Sequence, residues 1–309
     1  MKTAIIIPNY NHASSAIRCI SALIGLEIGH ERGLEIIVVD DGSTDGSADI
    51  IYGLFKDRIH LIRMPHNLGR STARNSGARE SDADYVIFVD SDCIAADGNF
   101  AAAYLEVIRG GADLIFGQVS TNEDGFWNQL QKSTFRNREA EFKSGQYWAY
   151  TTQNVCIRRD LFLKCGGFDL AFDKHGFEDR DLFIRLIEMG AKPAYCAAAN
   201  VTHDDRISLR SVSGKMLAAG RHSSIPFGRK HPRHYALSPY AKLDCRIHPG
   251  LKWLDLLTWP IVKRLGGSDA AWLESGKIPL SARIAAARLI YGLHYLHGTA
   301  LAASDRRNA

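Results

Sequence analysis

Asp90-Ser91-Asp92 closes the run Tyr85-Val86-Ile87-Phe88-Val89. Two carboxylates one residue apart suit a hard divalent ion such as Mg²⁺ or Mn²⁺, which takes oxygen ligands and shares them with a substrate phosphate. If the chain stays extended there, positions two apart point to the same side and both carboxylates face one site. The plain alternative is a pair of solvated turn acids, and Asp-x-Asp alone is a weak signal. Its place adds weight. The preceding run is apolar at every position, as in a strand covered on both faces. Open α/β sheets bind ligands at the carboxyl ends of such strands.

The elements that must position these acids alternate along the chain. Residues 3–7 form a first strand, stopped by Pro8, and Ser14 to Leu26 a helix with Ile17, Ile20, Leu23 and Ile24 on its apolar face. Leu34 to Val39 is a second strand. It is followed by the turn Asp40-Asp41-Gly42-Ser43-Thr44-Asp45, in which Ser43, Thr44 or Asp45 caps the next helix. Strands are expected at Ile59–Arg63, Tyr85–Val89, Leu114–Phe116 and Asn154–Arg158. Helices are expected within Asn67–Glu80, over Phe100–Ile108, as one piece over 126–144, and over Asp179–Met189. Strands alternating with helices make an α/β fold with a doubly wound, mainly parallel sheet and right-handed crossovers. After residue 206 the pattern weakens, with Pro226, Pro232, Pro239 and Pro249 interrupting it. Two apolar segments return at Leu251–Leu265 and Ser281–Ala302, both expected as helices.

The 309 residues suffice for one large α/β domain plus a tail, and need no disulfide or zinc staple. The six cysteines include no CxxC pair and read as small buried hydrophobes in a reducing compartment. The apolar run before Pro8 is too short for a signal-peptide core, so a cytoplasmic location is expected. No uncharged apolar stretch reaches the roughly 18 residues of a membrane span. The net charge of +4 is uneven: from Arg206 to Arg264 there are twelve Lys/Arg and only two acids, Asp244 and Asp255. Such a basic tail implies an anionic partner, whether lipid, nucleotide or acidic polymer.

Six short motifs stand in order: Pro8-Asn9-Tyr10-Asn11; Asp40 to Asp45; Asn67-Leu68-Gly69 with Ala73-Arg74-Asn75-Ser76-Gly77; Asp90-Ser91-Asp92; Gly166-Gly167-Phe168-Asp169; and Glu178-Asp179. In this order the chain resembles the inverting, GT-A-fold glycosyltransferases of family 2 over roughly its first 205 residues. The resemblance implies a nucleotide-sugar donor, a saccharide or lipid-linked saccharide acceptor in cell-surface polysaccharide or glycoconjugate synthesis, and Mn²⁺ or Mg²⁺. It divides the first 205 residues into a nucleotide-sugar half (1–118) and an acceptor half (119–205), and a basic, mainly helical extension (206–309) follows outside the resemblance.

The roles follow from the resemblance, with the chemistry of each side chain in agreement. Tyr10 offers a flat face for a base, and Asp41 can accept from the imide N–H of a uracil, which makes UDP the expected nucleotide. Pro8, Asn11 and Gly69 belong to the same nucleotide site. Arg74 either supports the acidic turn or neutralises phosphate, its plain alternative being a surface ion pair of about 0–1 kcal/mol. Asp90 faces the ribose or shares the metal, Asp92 ligates it, and His203 is the added imidazole. Asp179, with Glu178 second, is the base that takes the acceptor hydroxyl's proton; acids in a first helical turn also have a purely structural use. Asp181 and Arg185, four apart, are expected as a helix-face pair. Trp148, Phe168 and Tyr147 are candidates to stack on sugar rings.

Three rivals remain. A nucleotidyltransferase would carry a Gly-rich phosphate loop where Pro8-Asn9-Tyr10-Asn11 stands, and a dinucleotide-dependent oxidoreductase a GxGxxG. A non-catalytic sugar-binding homologue is opposed by intact Asp92 and Asp179. For the two tail segments, packing onto the protein or into a homodimer is favoured over a peripheral membrane contact through residues 251–309.

Overall fold

The computed structural model describes residues 1–25, 34–121, 125–136, 138–147, 150–204, 207–267 and 270–305. By its contacts the chain forms two compact units. One holds Met1–Asn122, Gln131–Leu170 and Leu182–Asp205; the other holds Glu123–Leu130, Ala171–Asp181 and Arg206–Ala309.

The first unit is built on an eight-stranded sheet of β1 (Thr3–Asn9), β2 (Leu34–Asp40), β3 (His60–Arg63), β4 (Tyr85–Val89), β5 (Cys93–Ala95), β6 (Leu114–Thr121), β7 (Asn154–Arg158) and β8 (Pro193–His203). Their order across the sheet is β3-β2-β1-β4-β7-β6-β8-β5. The block β3-β2-β1-β4 is parallel, and β8 runs parallel to β6. β7 is antiparallel to β4 and β6, and β5 to β8. The sheet is thus mixed but mainly parallel, as a GT-A fold requires.

Strand alternation explains the unbroken apolar runs. Ile5, Ile7, Val38, Ile87, Val89 and Ile115 face one core, while Ala4, Ile6, Ile37, Val39, Val86, Phe88 and Phe116 face the other. The helix Ala13–Gly25 covers the first core with Ala16, Cys19, Ile20 and Leu23, and Phe100–Arg109 adds Phe100, Tyr104 and Ile108. Ala73 and Ala78 of the helix Arg70–Glu80, with Leu182, Phe183 and Leu186, cover the second. The helix expected over 126–144 is instead two, Phe126–Phe135 and Arg138–Lys143. Phe135 packs into the first core and Phe142 against the second, and one straight helix cannot serve both faces of a sheet.

Two strands were not foreseen, β5 and β8. β5 has three residues, and β8 holds Pro193, four alanines before Val201, and Asn200, which are poor strand formers. β8 is held by partners rather than propensity. Its register against β6 jumps between Gly117↔Cys196 and Gln118↔Asn200, leaving Ala197–Ala199 as a bulge. Asn154 fills the irregularity, donating to Gln118 O and Ala199 O at 2.8 Å each and accepting from Tyr104 Oη at 2.7 Å. Gly117 makes room: a Cβ there would lie 2.3 Å from Asn154 Nδ2 and 2.7 Å from Ala199 O.

The second unit is helical among its described residues. Its longest helices are Leu251–Gly267 and Leu280–Asp305. Its prolines do not all break helices: Pro232 begins Pro232–Leu237, where its missing N–H costs nothing. Phe126, Leu130, Leu209, Val262, Leu273, Ala287 and Ile290 form its core. Ala287 and Ile290 of the apolar segment 281–302 thus lie in this unit's own core. Among the described residues, no helix is long and apolar enough to cross a membrane.

Candidate active site

A cavity of about 260 Å³ opens at the carboxyl ends of β1, β2 and β4. That is below the roughly 300–1,000 Å³ of pockets that enclose a drug-sized ligand. Pro8 and Tyr10 line it from the end of β1, Asp41 from β2, and Asp90 and Asp92 from beyond β4. Asn67, Gly69 and Arg70 complete it from the loop into the helix Arg70–Glu80. A larger cavity lies at the opposite end of the strands, beside Leu23, Leu34 and Ile59.

The two acids after β4 line the same cavity but meet different side chains. The chain turns, with Cys93 N donating to Asp90 O at 2.9 Å, and β5 starts at once. Asp90 therefore meets the guanidinium of Arg74, with Arg70 Nη1 3.9 Å from its other oxygen. Asp92 instead meets His203, Nε2 to Oδ2 3.5 Å. The meeting is made by the strands absent from the expected list. Cys93 pairs with His203 across β5 and β8, and Asp204 N donates to Asp92 O at 2.8 Å. Arg18 Nε donates to Asp204 Oδ2 at 3.0 Å and secures that end. His203 is thus a strand residue, 7% exposed, and not part of a polar loop.

Of the expected set, Asp92 and His203 face each other, and Asp90 pairs with Arg74. Among the described residues no three His, Cys, Asp or Glu side chains form a metal cluster. The Asp92–His203 pair still fits a divalent ion by its chemistry: one carboxylate and one imidazole facing each other beside an open cavity, the remaining ligands left to a substrate's oxygens.

Arg74 is neither a surface ion pair nor free to reach a phosphate. It is 1% exposed, held between Asp90 and the ring of Phe168, 5.3 Å from the ring centre. Phe168 in turn is core, packed on Phe88 and Phe162 with centroids 5.7 and 5.8 Å away, so it offers no face to a sugar. The Gly166-Gly167-Phe168 turn is shaped for this role. Asn75 clamps Phe168 by Nδ2 to its O, 2.9 Å, and by Oδ1 from its N, 2.8 Å. Gly167 has φ +69°, and a Cβ there would strike Asn75 Oδ1 at 2.4 Å. Arg185 donates to Cys165 O and Gly167 O of the same turn, both at 2.7 Å. Removing Arg74 takes the nearer cation from a mostly buried carboxylate and leaves it Arg70 at 3.9 Å. Arg74→Met should cost roughly 3 kcal/mol in a denaturant melt; an unchanged melt would show that the pair does not hold the turn.

The β2 turn divides its labour. Asp40 is structural, accepting from Asn9 Nδ2 at 3.0 Å and Ser43 N at 2.9 Å. Asp41 is 3% exposed and accepts from Leu68 N at 2.8 Å and Gly69 N at 2.9 Å, so its first task is to fix the loop that lines the cavity. Burial pushes its carboxyl up, and the two amides oppose that rise. Asp45 accepts from Ser47 N at 3.0 Å at the start of the next helix. Asn11 is not at the cavity. With φ +53°, it ties the first loop to the second, its N donating to Ser43 Oγ at 2.9 Å and its Oδ1 accepting from Thr44 N at 2.8 Å. Tyr10 stands 40% exposed at the cavity's edge, as a stacking ring needs.

Glu178 and Asp179 open the helix Glu178–Glu188. Glu178 is buried and Asp179 half-buried. Before them Phe177 holds a left-handed backbone, φ +70°, unusual for a bulky residue. Its ring is anchored on Phe227 (4.8 Å) and Tyr240 (5.2 Å), with the Arg180 guanidinium 5.5 Å away. Strain of about 1–3 kcal/mol kept by such packing is typical of functional turns. Asp181 bonds Lys230 Nζ at 2.7 Å and His231 Nε2 at 2.9 Å. Tyr147 is half-buried and packs on the sheet core beside Phe142, 5.1 Å away. Trp148 lies outside the described residues. The sequence reading missed Asn67 and Arg70 at the cavity and Phe177 beside the acids; only the Asn67-Leu68-Gly69 motif hinted at the first.

The sequence profile of Glycosyl transferase family 2 matches residues 4–170, which hold every cavity-lining residue named above. The chain belongs to this family. Among curated relatives of this family member, a pre-mycofactocin glycosyltransferase of Mycobacterium tuberculosis is 31% identical over 237 residues, covering 74% of this chain and 48% of the relative. Glycosyltransferase AglE of Haloferax volcanii is 26% identical over 168 residues, 53% of this chain and 55% of that protein. The chain thus spans about half the length of these relatives. Among solved structures, a mannosyltransferase from Pyrobaculum calidifontis, in complex with GDP-Man and Mn²⁺, has the same fold, with TM-score 0.58 at 16% identity over 97% of this chain and 86% of that one. TarS of S. aureus matches at TM-score 0.53 and 15% identity, over 97% and 55%.

Proposed function

We propose that this family 2 enzyme moves a sugar, with inversion, from a UDP-sugar to a hydroxyl acceptor in cell-surface polysaccharide or glycoconjugate synthesis. The observation that carries the reading is the meeting of Asp92 with His203 at a cavity edged by Tyr10 and Asp41. Tyr10 stacks on the base and Asp41, already fixed by two amides, accepts from the uracil imide. Asp90, held by Arg74, faces the ribose; Arg70, 41% exposed, lies near the diphosphate. Asp92 and His203 hold Mn²⁺ or Mg²⁺, whose charge offsets that of the departing nucleotide. Asp179 takes the acceptor hydroxyl's proton as that oxygen bonds to C1; the C1–O bond to the diphosphate breaks, and its electron pair leaves with UDP. Glu178 is the second carboxylate of that helix start.

The mannosyltransferase solved with GDP-Man and Mn²⁺ supports a nucleotide-sugar donor and a divalent ion, but carries a different base. Calorimetry in Mn²⁺ separates the two. UDP should bind more tightly than GDP, and a clear preference for GDP would remove the uracil contact assigned to Asp41.

A further inference from the structure

The helix Leu251–Gly267 is packed by one side only. Asp255 and Val262 face inward and are buried. Asp255 meets His297 Nδ1 at 3.0 Å, and the ring of Trp259 stacks on the same imidazole, centroids 3.6 Å apart and planes within 10°. This clamp fixes which face turns outward. At about 100° per residue, Leu256, Trp253, Leu257, Ile261 and Leu254 then span an arc of roughly 160° on the other side. All five are exposed, by 42% to 74%. An apolar strip of this length on one helix marks a contact surface.

The charges around it select the partner. Lys252 and Lys263 lie along one edge of the arc and Arg264 near its carboxyl end. The only acids between residues 207 and 264 are Asp244 and Asp255, and both are buried and paired, Asp244 with Arg246 and Asp255 with His297. The exposed ionised carboxylates and basic groups of this stretch therefore reduce to basic groups alone. A two-fold contact between copies would bring like charges together, whereas an anionic lipid surface complements them, with Trp at the interface and Leu below it.

We propose that the outward face of the helix Leu251–Gly267 lies in the headgroup layer of an anionic membrane. This face shares no residue with the donor cavity, and its test contains neither nucleotide nor acceptor, so it stands or falls independently of the transferase reading. The probe is the full chain co-sedimented with equimolar phosphatidylglycerol–phosphatidylcholine vesicles and with pure phosphatidylcholine vesicles, at low and high salt. Binding to the anionic vesicles should exceed binding to the neutral ones and weaken in salt. The exposed-site double variant W253S/L257S should lower it by roughly tenfold or more, with an unchanged thermal melt. K263E/R264E, which leaves the apolar strip intact, should lower binding to anionic vesicles only. A wild-type chain that stays in the supernatant at low salt overturns the proposal. So does a dimer in sedimentation that W253S/L257S splits while vesicle binding is unchanged.

Discussion

Asp179→Asn should slow transfer by about 10²-fold or more while leaving donor affinity nearly unchanged. Asparagine keeps the shape of the side chain and its place in the first turn of the Glu178–Glu188 helix. It removes the proton acceptor, so the loss falls on the chemical step. Single-turnover rates at saturating donor, set beside donor affinity from calorimetry, separate the two quantities. If affinity collapses with the rate, Asp179 is a binding residue and the base lies elsewhere, with Glu178 the first to test.

Asp92→Ala should abolish metal-dependent transfer. A bound divalent ion contributes several kcal/mol to stabilising a departing diphosphate, which is roughly 10²–10³-fold in rate. The fold should survive, because the Asp92 side chain is 30% exposed and the bond that joins the strand ends uses its backbone oxygen. Rates across a Mn²⁺ titration, with a melting curve of the variant, give the result. Full activity in Asp92→Ala, or undiminished wild-type activity in excess EDTA, would sink the metal role.

The acids were legible in the sequence because the apolar run of β4 and the turn acids of β2 announce themselves locally. What the sequence concealed was long-range. Asp90 and Asp92 look like one bidentate pair until the turn at Cys93 sends them to different partners. His203 reaches Asp92 only through β8, whose alanine bulge and Pro193 give no strand signal and whose register is set by Asn154 and Gly117. The sequence leaves Arg74 open between support of a turn and contact with phosphate, and Phe168 between the core and a sugar ring; their burial depends on Asn75 clamping a turn 93 residues away. Phe177 carried no signal at all, since a left-handed backbone at a bulky residue is imposed by the aromatic rings around it.

The central claim is that the Asp92–His203 cavity takes a uridine nucleotide sugar together with a divalent ion. A thermal-shift screen of nucleotide sugars, with Mn²⁺ and with EDTA, tests it most directly, because a ligand that binds only the folded chain stabilises it by about 2.7 kcal/mol at a hundredfold excess over Kd. The melting temperature should rise with UDP-sugars in Mn²⁺, and the rise should disappear in EDTA and in Asp92→Ala. An equal rise in EDTA, or no rise with any nucleotide sugar, would contradict it.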